Sequence, residues 1–240
     1  MRIAVLSDIH SNLVALEAVL AHVGTVDGVW VLGDVVGYGP DPDAVVARLA
    51  SIGAVGVRGN HDAAALGGDQ IDSFNADARA AMEWTRRRIS PTTLAWLGDL
   101  PERREEDEIT LVHGSPRDPT WEYVTSERVA RAGVAALTTR HGLHGHTHVP
   151  IAWLGDGDLL RGEAPDDGDT VSFETRRALL NPGSVGQPRD GDPRASYLTI
   201  DPDARSATWH RVPYDIEAVA TAMRAAGLPT RLAERLYHGV

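Results

Sequence analysis

The chain has 240 residues, of which 42% are hydrophobic and 24% charged, and it contains no cysteine. This length suits one large domain with a buried core, and without cysteine there can be neither disulfides nor thiolate metal sites. Thirty-four acidic against twenty-three basic residues give a net charge of −11, which argues against a binder of duplex nucleic acid, since such a protein needs a basic face.

The first third alternates strand and helix signals. Ile3 to Leu6 is an apolar run that stops at Ser7-Asp8. It is far shorter than a membrane span of roughly 20 residues or the core of a signal peptide, so the expected location is the cytoplasm. A helix follows over 12–23, with Leu13, Leu16, Leu20 and Val23 on one face and Ser11 or Asn12 as its cap. Val29 to Leu32 is a second apolar run ending at Gly33-Asp34, with a helix near 43–51 behind it. Ala54 to Val57 is a third, ending at Gly59-Asn60-His61-Asp62. Continuously apolar strands separated by helices indicate strands buried on both faces, and hence an α/β layered fold.

In the middle, a helix is expected over 75–88, and Ser90-Pro91 opens another. The charge run 102–108 reads as a solvated hairpin turn before the strand Ile109 to Val112, which ends at His113-Gly114. Residues 126–136 read as a helix. In the last third, Leu143 leads into Gly145-His146-Thr147-His148, and Ile151 to Leu154 follows. The Gly/Asp-rich stretch 155–169 reads as a loop with no fold of its own. Leu179-Leu180 runs into Asn181-Pro182-Gly183-Ser184, and 197–200 with 207–212 reads as a hairpin around Asp201-Pro202. Two helices, 215–226 and 230–237, close a single domain spanning 1–240.

Five times, then, a strand-like run ends in a polar cluster: Asp8/His10, Asp34, Asn60/His61, His113 and His146/His148. Parallel strands put their carboxyl ends on one edge of a sheet, where such folds build sites. Imidazole, carboxylate and amide groups suit a borderline metal ion. Gly33, Gly59, Gly114 and Gly145 flank the clusters and offer positive φ and close backbone approach. Asp8 and His10, two apart on an extended segment, are expected to point the same way, as are His146 and His148. A lone Gly-Asp is usually a turn and a lone His after a strand usually structural; five clusters in this order are a different matter. His22, His141, His144, His210 and His238 have no motif around them and read as structural, and the six tryptophans read as core.

The series D-x-H, G-D, G-N-H-D, H-G and G-H-T-H resembles the calcineurin-like metallophosphoesterase superfamily. Gly37-Tyr38-Gly39-Pro40 and Asn181-Pro-Gly-Ser-Val-Gly-Gln-Pro-Arg-Asp190 resemble its small bacterial branch. The resemblance implies a four-layer α-β-β-α sandwich and two divalent transition-metal ions, whether manganese, iron, zinc, cobalt or nickel. Asp8, His10 and His148 would hold the first ion, Asn60, His113 and His146 the second, and Asp34 would bridge both. His61 would face the leaving group as general acid or charge stabiliser, with Asp62 orienting its ring. A metal pair roughly 3.5–4 Å apart lowers the pKa of a bridging water and stabilises an in-line displacement. The implied reaction is direct attack of that hydroxide on phosphorus, in a phosphomonoester or phosphodiester, with a nucleotide as one candidate.

The Ser/Thr protein phosphatase branch, and the diadenosine tetraphosphate hydrolases similar to it, carry an arginine in G-D-x-x-D/N-R-G. Gly33-Asp-Val-Val-Gly-Tyr-Gly39 lacks it here, which lowers the protein-phosphatase reading without excluding it; protein phosphatase-like and dinucleoside-polyphosphate hydrolase activities stay as the alternatives. Arg58 and Arg189 are the stand-in phosphate contacts, although beside motifs an arginine is more often structural; Tyr38 is a candidate pocket wall. Three other readings remain at this point: a non-catalytic scaffold like the retromer subunit of this fold, a repair-type nuclease, and assembly as a homodimer.

Overall fold

The computed structural model describes residues 1–240, the side chains of Asp69 and Gln70 excepted. β1 (Ile3–Leu6) leads to α1 (Leu13–Val23), β2 (Gly28–Val31) to α2 (Pro42–Ser51), and β3 (Val55–Gly56) to the short α3 (Asn60–Ala65). Next come α4 (Ala76–Arg86) and α5 (Pro91–Asp99), then a hairpin of β4 (Arg103–Glu106) and β5 (Ile109–Val112). After α6 (Glu127–Ala135) come β6 (His141–Leu143), β7 (Ile151–Leu154), β8 (Arg161–Glu163), β9 (Thr170–Ser172) and β10 (Ala178–Asn181). The hairpin of β11 (Ala195–Asp201) and β12 (Ser206–Val212) precedes α7 (Ile216–Ala225) and α8 (Thr230–Arg235). Helix starts are set locally: the side chains of Asn12, Asn75, Ser90, Ser126 and Asp215 each accept a backbone N–H from the first turn behind them.

The strands form two sheets of six, ordered β3-β2-β1-β11-β12-β9 and β4-β5-β6-β10-β7-β8. Each has a parallel core, β3-β2-β1 and β5-β6-β10. The two-residue alternation of each strand assigns its side chains to layers. Along β1, Ile3 and Val5 face the other sheet, where they meet Leu111, Leu143, Leu154 and Leu180. Ala4 and Leu6 face outward onto Leu16 and Val19 of α1 and Val45 and Leu49 of α2. Likewise Leu180 of β10 points between the sheets, while Leu179 packs outward against Ala130 and Val134 of α6. The result is four layers, α-β-β-α. Burial of each such Leu or Val contributes roughly 1.5–3 kcal/mol. A separate cluster packs α7 and α8 against α4, with Tyr38 in its midst.

Three expectations need correction. The stretch 155–169 is not without fold: it holds a 3₁₀ turn, Gly157–Leu159, and β8, which pairs antiparallel with β7. The charge run 102–108 is mostly an edge strand, β4, with Asp107 in the turn at φ 51°. Helix α3 begins at Asn60, inside what reads in the sequence as a polar turn. Among the described residues, no helix is long and apolar enough to cross a membrane.

Candidate metal centre and active site

The carboxyl ends of β1, β2, β3, β5 and β6 deliver the polar clusters to one edge of the sandwich. Ligand atoms of Asp8, His10, Asp34 and His148 lie within 4.8 Å of one another, as do those of Asp34, His113 and His146. Asp34 is common to both groups. Asn60 joins the second, with its Oδ1 3.0 Å from His113 Nε2. All these residues are buried.

The backbone that presents them is unusual. Asp8, His10, Asp34, His146 and His148 all have φ between 49° and 66°, in the left-handed region where Asp, Asn and His are the best tolerated residues other than glycine. The expected extended D-x-H and H-T-H segments are therefore tight turns, and the ligands themselves carry the positive φ. Of the flanking glycines, only Gly33 shares it. Gly59 and Gly145 serve by close approach instead: a β-carbon at Gly59 would strike the Asp34 carboxylate, and one at Gly145 the Ser7 hydroxyl. The turns brace each other. His10 N–H donates to Asp34 O (2.9 Å), Gly145 N–H to His113 O (2.9 Å), and Gly186 N–H and Ser184 Oγ to Asp8 O (3.0 and 2.8 Å).

Each of the four imidazoles uses one ring nitrogen on a backbone carbonyl. The pairs are His10 Nδ1 with Val36 O (3.2 Å), His113 Nδ1 with Leu32 O (2.8 Å), His148 Nδ1 with Gln187 O (2.6 Å) and His146 Nε2 with Trp121 O (3.2 Å). A carbonyl only accepts, so these nitrogens carry the hydrogen and the opposite nitrogens present lone pairs to the centre. His10 Nε2 and His148 Nε2 then face each other at 3.2 Å. Asp8 Oδ1, 3.2 Å from His148 Nε2, has no hydrogen-bond donor among the described residues. Converging lone pairs and an undonated carboxylate oxygen are what a cation satisfies, so the donor set fits divalent metal ions, in agreement with the sequence reading.

Electrostatics fits as well. Burial pushes His146 down to about 3, helped by the charge of His113, and holds His10 well below the usual range against the pull of Asp34; both stay neutral, as ligation requires. Burial alone would raise the Asp8 and Asp34 carboxyls, but neighbouring histidines hold both well below the carboxylate range. His113 is the exception: against burial, Asp34 at 3.4 Å raises it to about 9. A dication in its place would compete directly for that proton.

His61 sits at the rim, its ring 4.9 Å from His10 and 4.5 Å from Tyr38. Its backbone N–H donates to Asp34 Oδ1 (2.8 Å), its Nδ1 has no partner among the described residues, and burial lowers it to about 4. Asp62 does not orient this ring. Its two oxygens accept Val36 N–H (3.1 Å) and Gly59 N–H (3.0 Å), so it caps α3 and ties that helix to the loop after β2. Burial and the nearby Asp34 charge push Asp62 up to about 7 against those bonds.

The two arginines separate. Arg58 turns away, toward Gly98 O (3.5 Å) and Glu102 (3.6 Å), so its expected phosphate contact is not supported. Arg189 stays at the centre: its Nη2 donates to Gln187 Oε1 (2.9 Å) and Tyr38 Oη (3.4 Å), and its charge adds to the burial that already lowers both His61 and His148. No carboxylate among the described residues ion-pairs with it. Tyr38 is buried edge-on to His10 at 4.5 Å and forms part of the wall. His22, His141, His144 and His210 lie outside both ligand groups. A cavity of about 320 Å³ between Glu108, His141, Phe173 and Arg205 lies at the amino ends of β5 and β6 and holds no ligand cluster among the described residues. Sequence reasoning missed Phe74, Trp121 and Tyr123, which line a cavity of about 220 Å³ beside Asn60, His61 and His146.

Residues 1–205 match the family model described as the calcineurin-like phosphoesterase superfamily domain. The chain is 36% identical to an uncharacterised protein of Methanocaldococcus jannaschii, covering 99% of this chain and 98% of that one. It is 30% identical to a symmetrical bis(5'-nucleosyl)-tetraphosphatase of Pectobacterium carotovorum, over 55% of this chain and 49% of that enzyme. A solved metallophosphoesterase from Sphaerobacter thermophilus superposes with a TM-score of 0.93 at 46% identity, covering 100% of this chain and 99% of that one.

Proposed function

The chain belongs to the calcineurin-like phosphoesterase superfamily and is a hydrolase, and from that premise we propose that it hydrolyses a small phosphomonoester or phosphodiester at a two-metal centre. The observation that carries the reading is Asp34, common to two ligand groups of buried imidazoles and carboxylates. Asp8, His10 and His148 would hold one ion, Asn60, His113 and His146 the other, and Asp34 both. When bound, such a pair supplies a nucleophilic water near neutral pH and neutralises phosphoryl oxygens.

The chain's own residues do the rest. Arg189, a cation with no carboxylate partner among the described residues, would clamp a non-bridging phosphate oxygen. Tyr38 and Gln187 hold that guanidinium in place. His61, at the rim between the ligands and the adjoining cavity, is lowered to about 4 and so is a neutral ring. It would donate its ring N–H to the leaving oxygen and stabilise the charge developing there, acting as a general acid only where the charge of a bound phosphate raises it; its backbone N–H to Asp34 fixes its position. Burial keeps bulk water from the ligands. The relative named as a dinucleoside tetraphosphatase supports a second reading, in which the ester is part of a nucleoside polyphosphate.

The test is turnover of p-nitrophenyl phosphate and bis-p-nitrophenyl phosphate, with and without manganese, by the wild type and His61→Ala. Manganese-dependent turnover that falls by about 10²–10⁴-fold in the variant is expected for loss of a general acid. Full activity in His61→Ala would overturn its role. No turnover of any phosphate ester by metal-loaded protein would overturn the reading.

A further inference from the structure

A cavity of about 220 Å³ opens outward from the metal centre. Asn60, His61 and His146 form its inner end, and Phe74, Trp121 and Tyr123 its outer walls. The Phe74 ring lies 4.5 Å from the His61 ring with 31° between planes, and 6.3 Å from the Trp121 ring. Tyr123 stacks on His146 at 3.8 Å and 21°, yet remains 49% exposed. Neither a lysine, an arginine, an aspartate nor a glutamate is among the described residues lining it.

We propose that this cleft holds the leaving group, and that the leaving group is a neutral, planar aromatic body, an aryl or nucleoside moiety, selected by Phe74, Trp121 and Tyr123. The proposal rests on the reading of His61 as donor to the leaving oxygen, because that ring is shared by the centre and the cleft. An ester oxygen at His61 directs the rest of its alcohol along Phe74 toward Trp121. Aromatic faces left open to water are stacking platforms, and every base or aryl ring has a face to lay on one. A charged alcohol finds no counter-charge there, whereas a neutral ring needs none. The size also selects: the cleft is below the roughly 300–1,000 Å³ of pockets for larger ligands, so it takes one ring system and leaves any second nucleoside in solvent.

The walls are fixed before a ligand arrives. Trp121 O accepts from His146 Nε2 (3.2 Å), and Asp118 Oδ1 accepts Trp121 N–H (3.1 Å). Glu122 is held by Ser115 Oγ (2.5 Å) and ion-pairs with Arg117. Phe74 N–H donates to Ile71 O (3.1 Å), immediately before the Asn75 cap of α4. A preformed cleft spends little binding energy on ordering its walls.

The experiment compares kcat/KM for p-nitrophenyl phosphate, adenosine monophosphate and glycerol phosphate in metal-loaded wild type, Phe74→Ala and Trp121→Ala. Aryl esters are intrinsically more reactive, so the readout is the change in the planar-to-glycerol ratio on substitution, which cancels that reactivity. The ratio is expected to fall by about 10–100-fold, the equivalent of one lost stacking interaction, and to recover in Phe74→Tyr and Trp121→Phe, which keep a ring. A larger fall for adenosine monophosphate identifies a nucleoside; a larger fall for p-nitrophenyl phosphate identifies an aryl group on the ester oxygen. Unchanged ratios with phosphoesterase activity intact overturn this inference and leave the proposed function standing. If no ester is turned over, the proposed function fails. The cleft is then judged by saturation-transfer NMR of adenosine and phenol with metal-free protein. A transfer signal present in wild type and absent in Phe74→Ala supports it, and no signal from either compound overturns it.

Discussion

Asp34→Asn tests the centre most directly. The substitution keeps the shape of the side chain, and its amide oxygen can still accept the His61 N–H now bound at 2.8 Å. It removes the one negative charge common to both ligand groups, and puts an NH₂ 3.4 Å from His113 Nε2 and 3.7 Å from His10 Nε2. At an effective dielectric of about 20, two unit charges 4 Å apart interact by about 4 kcal/mol. Removing one partner of a buried charge pair costs about 3–5 kcal/mol. At about 1.4 kcal/mol per tenfold, metal affinity should fall by roughly 10²–10³-fold or more, and at both positions together. Asp8→Asn is the control, because Asp8 lies in the first group only and its loss should be confined to one ion. The assay is metal content by atomic emission after equilibrium dialysis against buffered free manganese. Thermal unfolding gives a second readout: saturating metal at about 1,000 times Kd adds about 4 kcal/mol, or about 8–16 °C for a chain of this size, and Asp34→Asn should lose most of that rise. Two ions per chain bound with undiminished affinity would refute the reasoning, as would loss of one ion with the other untouched.

Asp62→Asn should lower the melting temperature by about 2–12 °C, because one of two buried backbone N–H donors then meets an NH₂ and loses about 1–3 kcal/mol; the pH profile of turnover should not move, and a shifted profile would restore Asp62 to the His61 ring. Arg189→Ala should raise KM about tenfold or more, as expected for one charge-assisted hydrogen bond of about 1.5–3 kcal/mol, while Arg58→Ala leaves it unchanged; equal effects would contradict their opposite orientations. In chelated protein, His61 and His144, each lowered to about 4, and His146, lowered to about 3, are neutral when folded. Their folded pKa values lie below the unfolded value of about 6.5, so the unfolded chain binds more protons and stability is lost as pH falls from about 6.5 toward 4 and then 3. His61 and His144 carry roughly 3 kcal/mol each, which outweighs the opposing contributions of Asp62, raised to about 7, and of His113, raised to about 9 and so already protonated at pH 7. Urea unfolding at pH 7 and pH 4.5 measures this, and equal midpoints would sink it.

The ligand residues are legible in the sequence because strand carboxyl ends converge in a layered sheet whatever the loops do. An apolar run followed by Asp, Asn or His is a local signal, and topology supplies the convergence. What is not legible depends on where side chains turn after the strand ends. Arg58 and Arg189 both stand beside motifs, and only the packing of α5 near one and of Tyr38 near the other sends them apart. Phe74 and Trp121 are far apart in sequence, share no periodicity, and meet only because α4 and the loop after β5 flank the same edge. Asp62 did carry a signal: Gly59-x-x-Asp62 has the spacing of a helix cap, which points both to α3 and to the true partners of that carboxylate, rather than to the His61 ring.

The left-handed turns explain why the motif is written in Asp and His. Five ligand residues have φ between 49° and 66°, and the penalty for an ordinary side chain there is about 1–2 kcal/mol each. Summed, that is roughly 5–10 kcal/mol, comparable to the net stability of a whole domain. Asp and His reduce that cost, and what remains persists because two stiff sheet edges and the cross-bonds accepted by Asp34 O, His113 O and Asp8 O over-determine the turns. Glutamate is as good a carboxylate ligand as aspartate, but its longer side chain cannot bond back to the turn and gains nothing in the left-handed region. Asp, Asn and His are both the ligands a divalent ion accepts and the residues that tolerate this backbone best. One choice of residue therefore satisfies the turn and the metal together, so the donor atoms stand in position through folding alone.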